Sequence, residues 1–247
     1  MPQVSLRKST IALLLSIFCG YTVALNGQNT PTDSLYLWFD EQIGLLNTGL
    51  YASQEYVEEY QVINDKHRFF ESPNYLTGTL WQKSIPFHKV FLKYDLFEDQ
   101  IIVYPKGISG ASSVKLDLAK VDSFQIQNRK FVKKSIVDTK SNPVNGFFEV
   151  LLKGTDFTLL KKHRKTDVRK LNRNRVYYEF KEKNEYALAY KGVFYEIKNR
   201  RDVISVFPIS KDIQKEFLAK KMAKELTDTG LRLLLQEIEA HLTKKSG

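Results

Sequence analysis

The sequence predicts a mainly β fold, an antiparallel meander of hairpins forming a sandwich or a partly open barrel, followed by C-terminal α-helices. Three observations carry that expectation. Phe147 to Lys162 (FFEVLLKGTDFTLLKK) sets two apolar runs either side of the turn-forming string Lys153-Gly154-Thr155-Asp156. Residues 89–104 repeat the arrangement around the acidic turn Phe97-Glu98-Asp99. After Asn199 the apolar period changes from two to about 3.6 residues, from strand to helix.

In the central hairpin, Phe148, Val150 and Leu152 alternate with Phe147, Glu149, Leu151 and Lys153; on the second arm Phe157 and Leu159 oppose Thr158 and Leu160. Both faces are apolar, so these are expected to be central strands. Gly154 supplies a positive φ for the connection and Asp156 bonds its own backbone. A buried helix is disfavoured because Gly154 and Asp156 would sit in its interior.

The chain begins with a basic stretch, Arg7 and Lys8, and an apolar run from Ile11 to Leu25. That run, about 15 residues, fits the hydrophobic region of an export signal and falls short of the roughly 20 needed to span a bilayer. Residues 1–27 are read as a signal peptide cleaved after Ala24 or Gly27, which leaves 28–247 as a single domain without a transmembrane segment. The expected location is periplasmic or secreted. Cys19 follows Phe18, not the small residue that lipoprotein processing requires, and is read as lost with the signal. The mature chain then has no cysteine, hence no disulfide, thiolate metal site or cysteine nucleophile. Net charge is +10, and +8 once Arg7 and Lys8 are removed, a balance that favours anionic surfaces.

Along the mature chain, Asn29 to Ser34 is a polar lead-in, and folded sequence starts at Leu35 to Phe39. Tyr51 to Val62 fits strand and helix spacing equally. Thr79 to Ser84 reads as a short strand broken by Pro86; Lys89 to Leu96 and Gln100 to Tyr104 form a hairpin. Val114 to Leu118, Ser123 to Ile126 and Lys130 to Lys133 are short strands, and Asp138 to Gly146 is a loop. Beyond the central hairpin, Val176 to Phe180, Tyr186 to Tyr190 and Val193 to Lys198 make a meander. The helical segment covers about 202–243: a turn at Asp202 to Val206, a helix capped by Ser210, and a last helix capped by Thr227 or Asp228. Ile213, Phe217, Leu218 and Met222 form one stripe, and Leu231, Leu234, Leu235, Ile238 and Leu242 another, each packing on the sheet.

Tyr75, Gly78, Trp81, the string LKYDL at 92–96, FFEVLLKG at 147–154, Leu160 to Lys162, YEIKNRRDVISVFP at 195–208 and Ile213 to Phe217 together resemble a family of uncharacterised exported proteins common in Bacteroidetes. The resemblance spans roughly Gly49 to Phe217. It implies an envelope location and this fold, and it carries no catalytic residue to transfer.

Chemistry-bearing patterns are sparse. His67, His88, His163 and His241 show no metal-ligand spacing, and no cofactor or metal site is expected. Ser112-Ser113-Val114-Lys115 matches S-x-x-K without the companion motifs that would make it a serine-acylation site. Asp95, Glu98 and Asp99 lack the alternate spacing and glycine of a calcium loop, and are read as serving turn chemistry and solubility. The strongest anomaly is residues 161–175 (KKHRKTDVRKLNRNR), with Lys161, Lys162, Arg164, Lys165, Arg169, Lys170, Arg173 and Arg175 against Asp167 alone. If it extends two paired strands it makes a cationic ribbon for phosphates or sulfates, with Lys133 and Lys134 adding to it; otherwise it is a solvated loop. Aromatic residues for base stacking are absent within it, which disfavours nucleic acid.

The function expected on these grounds is that of an exported non-enzymatic envelope protein. It is a structural or binding module whose basic surface loop meets another envelope protein or an anionic surface, glycan or lipid head groups. The alternative is a carrier of a small apolar ligand inside a barrel, with Phe91, Phe148 and Tyr190 lining the cavity. A hydrolase would need clustered perturbed carboxylates or a Ser/His pair, which the sequence does not bring together.

Overall fold

The computed structural model describes residues 35–36, 38, 49–62, 65–136, 144–172, 174–219 and 226–246. The expected signal segment, Cys19, the polar lead-in and most of 35–48 lie outside them, as do residues 138–143 of the expected loop, Arg173 and Met222. Tyr36–Gly247 form one compact unit.

Among the described residues, Leu35, Tyr36 and Trp38 are helical, and thirteen strands then precede three C-terminal helices. The strands are β1 (Gln54–Glu55), β2 (Leu76–Gln82), β3 (Ile85–Asp95), β4 (Gln100–Tyr104), β5 (Val114–Lys115), β6 (Val121–Ile126), β7 (Arg129–Ile136), β8 (Val144–Lys153), β9 (Phe157–Lys162), β10 (Lys165–Asn172), β11 (Arg175–Glu182), β12 (Glu185–Tyr190) and β13 (Val193–Ile197). The helices are α1 (Arg200–Val206), α2 (Lys211–Ala219) and α3 (Asp228–Ser246). Eleven strands make one sheet in the order β1-β5-β4-β3-β2-β6-β7-β8-β9-β12-β13, and β10 pairs with β11 alone. All pairings are antiparallel. The fold is therefore mainly antiparallel β with C-terminal helices.

The sheet curls strongly. β3 and β8 stand four strand steps apart, roughly 19 Å in a flat sheet. Yet the Tyr94 and Phe147 rings are 6.3 Å apart, centroid to centroid. Between them, Phe124 stacks on Phe131 at 4.6 Å. These four aromatic residues, with Leu80, Leu92 and Ile101, fill the first core with side chains.

The second half of the sheet uses the same face differently. Leu151, Phe157, Leu159, Leu188 and Ile197 meet the stripes of the helices, where Leu231, Leu234, Leu235 and Ile238 are all buried. The helices thus cover one face of β8, β9, β12 and β13. α1 begins with a capping box: Asn199 Oδ1 accepts from the N–H of Arg201 and Asp202, and Asp202 Oδ2 accepts from the N–H of Asn199. Asn199→Ala is expected to lower unfolding free energy by about 1 kcal/mol, measured by urea titration; no loss would mean the cap is redundant with α1 packing.

The central hairpin forms where the alternation places it, flanked by β7 and β12, but two details differ from expectation. Gly154 does not take a positive φ. Instead a Cβ at Gly154 would overlap the Phe157 ring, so close approach explains the glycine. A bulge between Val150 and Leu152 turns Leu152 opposite Leu159, and it joins the helix-side core, away from Phe148 and Val150. Elsewhere, Pro86 does not break a strand. It lies inside β3 at a stretch paired only with β2, so its missing N–H costs no ladder bond. The turn joining these strands is Lys83-Ser84, both at positive φ, between the paired Gln82 and Ile85. Val144 to Gly146, expected in a loop, open β8, and residues 116–118 lie outside β5. Within residues 51–62, Gln54–Glu55 form a strand and the rest is irregular.

Candidate functional site

The basic run divides into a buried half and an exposed half, and β pairing sets the division. β9 lies in the middle of the sheet, so its last residues are covered. Lys161 is 8% exposed and donates to Asp228 at the start of α3, at 2.9 Å; Tyr186 donates to the same carboxylate at 2.7 Å. Burial pushes the Asp228 carboxyl up, but the hydrogen bonds from Tyr186 and Lys161 outweigh it and hold it below its ordinary value. Lys162 points to the other face, 3% exposed, and pairs with Asp99 at 2.7 Å. These two lysines are internal ion pairs and not part of an external anion-binding ribbon, which corrects the sequence expectation. His163 is buried against Glu149, Nε2 to Oε2 at 2.6 Å, with the Phe70 ring edge-on at 5.0 Å.

The same holds for the acidic turn. Asp95 accepts from the N–H groups of Phe97 and Glu98 as turn chemistry requires, but it is fully buried and paired with Arg68 at 2.5 Å. Asp99 accepts from Tyr94 Oη at 2.5 Å as well as from Lys162. Asp95 is thus a buried structural anion and Asp99 an internal counter-ion for Lys162, not solubilising groups.

The exposed half belongs to the β10–β11 hairpin. Arg169 pairs in register with Tyr178, Lys170 with Tyr177, and the ladder ends at Asn172 opposite Arg175. Arg169, Lys170 and Arg175 are exposed, and among the described residues no carboxylate lies within ion-pair distance of them. The run contains no aromatic residue, yet its partner strand sets tyrosines beside its cations, a juxtaposition that strand pairing alone supplies. The hairpin is anchored at its base by an aromatic cluster: Tyr60 meets Phe97, Tyr178 and Phe180 edge-on at 5.1 to 5.7 Å. Arg164 leaves the ribbon, pairing with Glu185 at 3.2 Å.

Between the two halves lies a polar cleft of about 430 Å³. Lys161 and His163 reach it from the end of β9, Lys165 from the start of β10, Arg129 from β7, and His67 and Phe70 from the segment before β2. Lys165 Nζ donates to the carbonyls of His67 and Phe69 at 2.7 and 3.1 Å. Burial pushes its ammonium below the ordinary lysine value, and burial with the neighbouring Lys165 charge lowers the His67 imidazole. Two of the four histidines therefore share a cleft although they stand far apart in the sequence, and no spacing rule would have found them. His88 sits on β3 beside Thr79, and His241 packs edge-on against Phe217. Among the described residues no group of three His, Cys, Asp or Glu has the arrangement of a metal site.

The remaining sequence candidates disperse. Ser112, the serine of the S-x-x-K string, is exposed in the loop before β5, and Lys115 is engaged with Glu98 at 3.4 Å. Phe91 lies under Lys106, Phe148 packs with Ile136, Leu160 and Ala187, and Tyr190 meets Phe207 at 4.9 Å. They do not line one cavity. Among the described residues no helix is long and apolar enough to cross a membrane. Comparison of the chain with protein-family models, with curated proteins and with solved structures finds no match.

Proposed function

We propose that the protein is an exported, non-catalytic binding module of the cell envelope, periplasmic or secreted, like the Bacteroidetes family its strands resemble. In this reading it engages an anionic surface, the acidic groups of a glycan or of lipid head groups, through the β10–β11 hairpin. The observation that carries the reading is the set of exposed cations Arg169, Lys170 and Arg175, without carboxylate partners among the described residues and set beside Tyr177 and Tyr178 on a two-stranded ribbon. Exposed cations of this kind release counter-ions when they meet an anionic surface, so their binding weakens as salt rises. Tyr177, opposite Lys170, adds a flat apolar face on which a sugar ring or acyl boundary rests, while Tyr178 is taken up by the Tyr60 cluster.

The triple variant Arg169→Glu, Lys170→Glu, Arg175→Glu tests it. The wild-type chain is expected to be retained on a heparin matrix, or on vesicles containing an anionic phospholipid, at low salt and released as salt rises. The variant is expected to pass through unretained while keeping its circular dichroism spectrum, since exposed substitutions shift stability by no more than about 0.5 kcal/mol. Retention equal to wild type at every salt concentration would remove the hairpin from the function.

A further inference from the structure

We propose that the partner of the hairpin is an acidic saccharide, one carrying carboxylate or sulfate groups, whose sugar ring stacks on Tyr177 between Lys170 and Arg175. The inference rests on the surface reading above and chooses between the two surfaces it leaves open. Strand alternation makes the choice, because it sorts the ribbon's exposed groups onto two faces. In the β10–β11 register Lys170 stands directly opposite Tyr177, and Arg175 lies two residues before Tyr177 on the same strand, so all three share one face. The other face carries Arg169 opposite Tyr178 and Leu171 opposite Val176.

The first face has the make-up of a sugar site. Directly opposed residues hold their Cβ atoms roughly 4.5–5.5 Å apart, and residues two apart on a strand are separated by roughly 7 Å. A lysine and an arginine therefore flank one aromatic ring closely enough to reach acid groups on a sugar resting there. Tyr177 is partly exposed; among the described residues no other ring or cation stacks on it and its hydroxyl has no hydrogen-bond partner. Tyr178, by contrast, is taken up by Tyr60 and Phe180. From Val168 to Tyr178 the sequence holds no Asp or Glu. The next residue of this face along β11, Glu179, pairs with Lys66 at 3.0 Å. The Arg175 fork suits a carboxylate or sulfate held by two hydrogen bonds, and Lys170 adds a point charge on the other side of the ring.

A bilayer fits the ribbon less well. Leu171, 72% exposed, is the residue an acyl boundary would take up, with Val176 across from it. Both lie on the face opposite Lys170, Tyr177 and Arg175. A planar surface meets one face of a ribbon at a time, so burying Leu171 turns Lys170, Arg175 and the open ring away from the lipid. A saccharide laid along the first face engages all three groups at once.

The test measures binding of a sulfated heparin oligosaccharide to the full chain over a range of salt concentrations. Tyr177→Leu is expected to weaken binding about fivefold, and to leave the slope of log affinity against log salt unchanged because no charge is removed. Lys170→Gln is expected to reduce that slope by about one. Leu171→Gln is expected to bind as wild type does. If Tyr177→Leu does not fold, as judged by circular dichroism, Tyr177→Val, a better strand former, replaces it with the same expectation. Wild-type affinity in the folded Tyr177 variant overturns the proposal, and the surface reading survives it if the hairpin triple variant still passes through heparin unretained. A triple variant retained like wild type overturns both. Phosphatidylglycerol vesicles that outcompete the oligosaccharide, with vesicle binding weakened by Leu171→Gln, make lipid the partner and overturn the saccharide.

Discussion

Arg68→Met is expected to lower unfolding free energy by about 4 kcal/mol, because it strands a fully buried carboxylate. Arg68 is the centre of a network: Nε reaches Asp95 at 2.5 Å, Nη1 reaches Glu58 at 2.8 Å, and Nη2 donates to Tyr56 Oη at 2.9 Å. Its guanidinium also lies over the Tyr60 ring at 4.4 Å. Glu58 is half exposed and returns to water when Arg68 is lost, but Asp95 has no such route. The effect should depend on pH in a defined direction. Burial already lifts the Asp95 carboxyl above its ordinary value, against the opposing charge of Arg68 and the N–H groups of Glu98 and Phe97. Without Arg68 the folded-state pKa rises further while the unfolded value stays near 4. Between those two values the folded variant holds a proton that the unfolded chain has released, so its stability falls as pH rises through the window. The deficit relative to wild type should therefore be larger at pH 7 than at pH 4.5 in guanidinium titrations. Equal deficits at both would show that lost packing, not the stranded charge, is what the substitution costs.

The sequence made the hairpins legible because strand alternation is a local property: the apolar face of Phe147, Leu151 and Leu159 can be read without knowing what it covers. The turns were less legible. Lys83-Ser84 carries neither glycine nor proline, and nothing in its composition announces two residues at positive φ. The helix stripes were read for the same local reason as the strands: Leu231, Leu234, Leu235, Ile238 and Phe217 are buried with Ile213 and Leu242 packed against them, whereas Leu218, expected in the first stripe, is 37% exposed. The charges misled. Residues 161–175 read as one basic string, and a lysine in such a string is ordinarily solvated. Lys161 and Lys162 are buried because Asp228 and Asp99, remote in sequence, arrive beside them when the sheet curls and α3 docks. The register that sets Tyr177 and Tyr178 beside Lys170 and Arg169 was equally out of reach, since it depends on the pairing partner of β10. So was the cleft, whose walls come from five separate stretches of chain. Local patterns report the faces of elements, whereas sites form where elements meet.

Gly146→Ala, compared with Gly192→Ala, is expected to expose the energetics of that curl. Both glycines sit at positive φ, +119° and +82°, so both variants carry backbone strain on the order of 1 kcal/mol. Gly192 faces open space, and its variant should lose little more than that. At Gly146 a Cβ would overlap both the Asp99 carboxylate and the Lys162 ammonium, the two partners of a pair that ties the β3–β4 turn to β9. Room to give lies on the Asp99 side, which is 30% exposed, and moving there means letting go of Lys162 and Tyr94. Lys162 is 3% exposed with its ammonium over the Phe148 ring at 5.5 Å, and Asp99 is held from the other side by the hydroxyl of the fully buried Tyr94. Forcing the pair apart leaves a buried ammonium unpaired and a buried phenol without its acceptor, so the loss should reach about 4 kcal/mol. Because the two strains are alike, the difference between the variants in a denaturant titration measures the bond across the curled sheet. A difference near zero would mean that the Asp99–Lys162 contact adds nothing to closure, leaving the aromatic core of Tyr94, Phe124, Phe131 and Phe147 to hold the sheet in its bent form.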